Sequence, residues 1–358
     1  MTFYENAFEA VPGLINRGTD DRQNLMRHET EDFLRAECEG YAVRAAEYWR
    51  RDYSSVEAYE ASVAPNRERW RQAMGEFGAP TEDMAPLVEP FAENEHFAAH
   101  WVTINLYGSL RGRAVLAIPK SGPGPYPLVV AQHGIGSSPE RVFGFGDDAV
   151  LYHHYGQRLC EAGYAVLAPC NITGAAPRAR QGNLAIMLGK TLWGLEIAKI
   201  SRLLDYAATR PEVDMDRVGM WGISLGGAYT IFTMPLEPRI KVGLCTAWFN
   251  DRVKKMAIDD PRYSCFLSVD EAHIFFSGWL REFADSDLVS LIAPRAFMSQ
   301  TGKGDGIAWW PFVLGEYERS REHYVKLGVE PERMQIDLHE GGHEIRVQTG
   351  LEFLAKWL

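Results

Sequence analysis

Ser224 sits in Gly222-Ile223-Ser224-Leu225-Gly226-Gly227, between an apolar run ending at Trp221 and a second apolar run. A serine with glycines two residues to either side, placed where a strand turns sharply into a helix, suits a nucleophile whose hydroxyl must stand clear of the backbone. A helix beginning at Leu225 would add the positive end of its dipole to any negative charge developing there. An ordinary glycine-rich turn with a capping serine has the same composition, so the reading requires partners elsewhere in the chain.

A serine hydroxyl needs a base, and the base needs an acid to orient it. In the strand-to-helix arrangement they follow in the order serine, acid, histidine. Asp305 ends the run from Ile292 through a glycine-rich turn, at the carboxyl end of an expected strand, where sites collect in open sheets. His343 lies between the alternating run Met334 to Leu338 and the apolar terminal run to Leu358. Asp251, after the run Val242 to Ala247, is the reserve acid. Backbone donors for an oxyanion are expected from Leu225 and from the loop His133-Gly134-Ile135-Gly136, with Ile135 chosen over Gly134. His133 precedes the serine and is read as packing beneath that loop. His339-Glu340-Gly341-Gly342-His343 also spells a zinc motif, but that motif needs a helix, and two glycines cost a helix about 2 kcal/mol relative to alanines. No metal and no cofactor are expected.

The surrounding elements fit this chemistry. Short β-branched runs alternate with longer helical ones beyond about residue 96, the mark of an α/β protein with a mostly parallel sheet covered by helices. Trp101 to Leu106 and Ala114 to Ile118 read as an antiparallel opening pair. Leu128 to Gln132, Gly163 to Pro169, Arg217 to Trp221, Val242 to Ala247, Ala296 to Ser299 and Met334 to Leu338 read as further strands. Residues 1–95 are expected to form a helical N-terminal extension that ends in a proline-bearing connector, and residues 96–358 the catalytic domain. Residues 268–287 are expected to cover the site as a lid.

The segments Tyr126 to Gly134, Arg210 to Gly227, Asp287 to Arg295 and Gly341 to Glu344 resemble the α/β-hydrolases of the dienelactone hydrolase and acetyl xylan esterase-like group. The charged, tryptophan-bearing segment Asn66 to Trp70 is similar to N-terminal extensions of that group. The resemblance implies an α/β-hydrolase fold with nucleophile Ser224, acid Asp305 and base His343. It also implies cleavage of a carboxylic ester, with acetyl or another short acyl group transferred. Amide, peptide or carbon–carbon cleavage on the same triad, and a noncatalytic binding protein on the same fold, are the alternatives.

Composition narrows the partners. The 358 residues carry 37 Lys and Arg against 48 Asp and Glu, a net charge of −11 that repels phosphate backbones, so no nucleic-acid partner is expected. No apolar run reaches the roughly 18 residues of a membrane span. Met1 to Asn6 shows no secretory pattern, and five cysteines without C-x-x-C spacing indicate neither a disulfide framework nor a zinc knuckle. A cytoplasmic enzyme with a small-molecule ester substrate, no membrane partner and a possible homodimeric state is expected.

Overall fold

The computed structural model describes residues 19–146, 149–269 and 271–358. Strands β1 (Leu87–Glu93), β2 (Phe97–Tyr107), β3 (Leu110–Pro119), β4 (Tyr126–Gln132), β5 (Ala165–Pro169), β6 (Val213–Ile223), β7 (Ile240–Thr246), β8 (Ala296–Gly302) and β9 (Met334–His339) form one sheet. Their spatial order is β1-β2-β3-β5-β4-β6-β7-β8-β9. β1, β2, β3 and β5 pair antiparallel, whereas β5, β4, β6, β7, β8 and β9 pair parallel. The chain leaves β4 toward β5 on one side and returns to β6 on the other. The loops after β4 and β6 therefore open a crevice at a topological switch point.

The central strands are buried on both faces because helices cover the sheet on both sides, which is why they read as unbroken apolar runs: all of β5 and β8 is buried. The opening pair extends further than its apolar residues suggest, joined across Gly108 at a positive φ of 53°. No described helix is long and apolar enough to cross a membrane.

Two expectations change. The connector before residue 96 contains β1, so the sheet begins at Leu87, inside the stretch expected to be a helical extension. Its prolines argued against a strand, but β1 lies at the sheet edge. Pro90 needs no ladder donor on the outer side there, and the register shifts between Pro90 and Ala92. The second change concerns the helices before it, Thr19–Glu39, Tyr41–Ala45 and Val56–Met74. Their burial is uneven: Tyr41 and, past the second helix, Trp49 are buried, while Phe33 and Leu34 on the first helix are 64% and 55% exposed.

The helix Val56–Met74 is part of the main core. Trp70 is fully buried, donates from Nε1 to the Phe232 carbonyl at 3.0 Å, and meets Phe232, Phe276 and Phe283 edge-on. Tyr59 donates to the Ser290 carbonyl at 2.7 Å. A shared core of this kind is a property of one folding unit, so the stretch from Tyr41 to Met74 packs as part of the main body. The part of the extension before residue 19, and position 270 of the expected lid, lie outside the described residues.

Candidate active site

Ser224 follows β6 and precedes the helix Leu225–Thr233, with φ at 57° and ψ at −122°. A non-glycine residue holds such a backbone only where its surroundings force it. Here the forcing is steric. A Cβ on Gly222 would lie 2.1 Å from the Gly226 carbonyl oxygen, and one on Gly226 would lie 2.1 Å from that of Gln132. Both glycines let strand, turn and helix touch, and the Ser224 N–H is anchored on the Thr246 carbonyl at 2.8 Å.

Ser224 lines a cavity of about 80 Å³ together with Ile135, Leu225, Trp248, Phe266 and Asp305. Asp305 lies just past β8 in Gly302-Lys303-Gly304-Asp305, and His343 lies in the loop after β9. Two backbone bonds stitch these loops together, Lys303 N–H to the His339 carbonyl at 2.8 Å and Gly304 N–H to the Gly341 carbonyl at 2.9 Å. The approach is so close that a Cβ on Gly302 would meet the Gly342 oxygen at 2.2 Å. The result is a 2.8 Å bond between His343 Nδ1 and Asp305 Oδ2. The second carboxylate oxygen accepts the Ile307 N–H at 3.0 Å, which fixes the carboxyl plane. Among the described residues Ser224 Oγ has no hydrogen bond to His343, and the serine–histidine bond of such sites commonly tightens only around substrate.

Asp251, the reserve acid, spends its carboxylate elsewhere. It caps the helix Arg252–Ala257 through the Lys254 N–H and pairs with Arg319 at 3.2 Å. His339 ends β9, and the residues that follow it form no helix, so the two histidines of the zinc-like motif are not one turn apart on a helix face.

The loop after β4 carries both amides considered as oxyanion donors. The Gly134 N–H donates to Tyr152 Oη at 2.9 Å, and Ile135 lines the cavity. His133 is buried, with Nδ1 2.8 Å from the Gly134 carbonyl and Nε2 accepting the Asn171 N–H at 3.1 Å. These partners require a neutral ring protonated on Nδ1, and burial drives its pKa down to about 4. Because a peptide is planar and trans, holding the Gly134 oxygen toward His133 turns the Ile135 N–H the opposite way. His133→Ala should therefore lower kcat roughly 10- to 100-fold, less than outright loss of an oxyanion donor, with KM nearly constant. Steady-state kinetics on a model ester checks this, and an unchanged kcat would leave His133 a packing residue.

Residues on both sides of position 268, where the expected lid begins, line the cavity. Phe266, Val269, Glu271, His273 and Ile274 face the cavity, so covering begins before residue 268. From Asp285 the chain is the buried helix Asp285–Ile292. Trp279 and Phe276 stack at 4.7 Å and Trp279 meets Phe232, so this end is rooted in the core. Trp248 reaches the cavity, while Trp193 packs against Tyr229 and Phe232. Tyr152 and Phe266 went unforeseen. The first carries no motif, and the second lies in a segment whose path depends on the fold around it.

Comparison with known proteins agrees with this architecture. Residues 113–265 match the dienelactone hydrolase family. YtaP of Bacillus subtilis (strain 168), described as a hydrolase, is 29% identical over 279 residues, covering 74% of this chain and 90% of YtaP. A glucuronoyl esterase from Solibacter usitatus superposes with a TM-score of 0.62 at 15% identity, covering 84% of this chain and 94% of the other. Acetyl xylan esterase 1 from Thermoanaerobacterium sp. JW/SL YS485 does so with a TM-score of 0.52 at 17% identity, covering 81% and 98%.

Proposed function

We propose, for this hydrolase of α/β-hydrolase fold whose residues 113–265 carry the dienelactone hydrolase pattern, that it is a serine carboxylesterase acting on short acyl esters. The observation that carries the reading is the junction of a strained Ser224 with a cavity whose wall also holds Asp305, itself bonded to His343. Asp305 accepts the Nδ1 proton and holds the ring so that Nε2 is the basic nitrogen. His343 takes the Ser224 proton as Oγ attacks the ester carbonyl. The oxyanion is received by the Leu225 and Ile135 amides, His343 returns the proton to the leaving alcohol, and water resolves the acyl-enzyme by the same route.

A cavity of about 80 Å³ walled by Trp248, Phe266 and Ile274 accommodates only a few heavy atoms beside the serine, which favours acetyl over longer acyl groups. Across p-nitrophenyl esters, kcat/KM should be highest for acetate or propionate. It should fall at least tenfold by octanoate, since surplus methylenes meet a packed aromatic wall. A profile rising with chain length would overturn the short-acyl assignment. Stoichiometric fluorophosphonate labelling without turnover of any ester would move the activity to another acyl or carbon–carbon bond.

A further inference from the structure

Lys255 lies on the cavity wall at 3% exposure and is the residue on which three parts of the site converge. It belongs to the helix Arg252–Ala257, in the connection that follows β7. Its Nζ donates to both the carbonyl and the hydroxyl of Ser264, the latter at 2.8 Å, and to the Ile307 carbonyl at 2.7 Å. Ser264 opens the covering segment, and Ile307 stands two residues past Asp305. A second tie joins the same two segments, the Ser264 N–H reaching the Gly306 carbonyl at 3.2 Å. The Lys255 carbonyl accepts the Phe266 N–H at 3.0 Å, and its ammonium lies 4.4 Å from the centre of the Phe266 ring. All three ammonium protons are thus committed to protein acceptors, which leaves none for a substrate and makes a general-base role chemically idle.

We propose that Lys255 is a positioning residue that clamps the Asp305 loop to the covering segment, its seated ammonium adding to the backbone bonds that hold the acid against His343. The proposal rests on the triad reading above. A neutral amine offers two donors and a lone pair to three acceptors, so deprotonation breaks one bond and sets a lone pair against an oxygen. Burial, with Arg252 on the same helix, lowers the lysine to about 8; Asp305, together with Cys265 and Glu271 of the covering segment, opposes the shift.

Deprotonation should therefore act on activity and stability in opposite directions. A lysine with a depressed folded pKa costs stability while charged, and this cost is relieved as pH rises from about 8 toward its ordinary value of 10.5, because the unfolded chain then holds the extra proton. Activity, by contrast, should fall over the same window.

The test combines wild type, Lys255→Met and Ser224→Ala, with fluorophosphonate labelling, thermal unfolding and kcat measured from pH 7 to 9.5. Wild type should label at Ser224 and lose kcat with a midpoint near pH 8, at least fivefold by pH 9.5, with no fall in Tm from this group. Lys255→Met should show kcat reduced at least tenfold at pH 7.5, KM within threefold and a flat alkaline profile. Because the wild-type profile alone exposes the effect, the test survives a methionine variant that fails to fold. A wild-type kcat that is level to pH 9.5, or an alkaline limb that persists in Lys255→Met, would overturn the clamp while leaving the triad standing. Absence of labelling at Ser224, with turnover equal to that of Ser224→Ala, would overturn the triad reading and the clamp together.

Discussion

Ser224→Ala should lower kcat by roughly 10⁶-fold and remove covalent labelling, while the fold stays intact. The size follows from the way a triad works as a unit. Once the nucleophile is gone, only binding and the oxyanion donors remain, and these sustain roughly 10³- to 10⁴-fold acceleration over water. The variant keeps its Cβ, so the turn held by Gly222 and Gly226 is undisturbed, and an unchanged Tm separates loss of chemistry from loss of structure. Retention of more than a tenth of the activity would place the nucleophile elsewhere.

The second large effect belongs to the acid, where two aspartates compete at the sequence level. Asp305→Asn keeps an acceptor for the Ile307 N–H if the amide oxygen takes the Oδ1 position. Its NH2 then faces His343 Nδ1 in place of Oδ2, which forces the ring into the opposite tautomer with Nε2 protonated and unable to accept the serine proton. A fall in kcat of about 10³- to 10⁴-fold is expected, with KM little changed. Asp251→Asn should leave kcat within twofold and cost about 1 kcal/mol or less of stability, because that residue only caps a short helix and pairs with a half-exposed arginine. Kinetics and thermal unfolding of both variants decide the matter, and a reversed ranking would transfer the acid to Asp251.

The parts of this molecule that could be read without coordinates share a physical reason. Ser224 was legible because its backbone is so constrained that only glycines fit at 222 and 226, and such constraints leave a local signature. The buried strands were legible because burial on both faces admits little but apolar residues. His343 and Asp305 could be placed by chain order, though their meeting depends on backbone bonds between the loops after β8 and β9, which are long-range and leave no pattern beyond a few glycines.

The illegible parts depend on what lies opposite. β1 was missed because Pro90 forbids a central strand yet is harmless at an edge, and edge status is a property of the whole sheet. That the Gly134 amide is taken by the hydroxyl of Tyr152 has no sequence signal, because the two meet only through the fold. Lys254 and Lys255 are adjacent and chemically equal in the sequence. Only the fold turns one outward and sinks the other against Ser264 and Ile307.

The burial of the helix Val56–Met74 in the main core bears on how the chain is made. Trp70 takes the Phe232 carbonyl 162 residues downstream, and Tyr59 the Ser290 carbonyl 231 residues downstream. At a synthesis rate of roughly 5–20 residues per second, this early helix leaves the ribosome about 10 to 50 s before its last partner exists. For that interval the native cover of Tyr59, Val63, Trp70 and Met74 is incomplete. Nascent chains would therefore be a substrate for chaperones that shield apolar segments, and final consolidation must wait until the carboxyl-terminal half has been released.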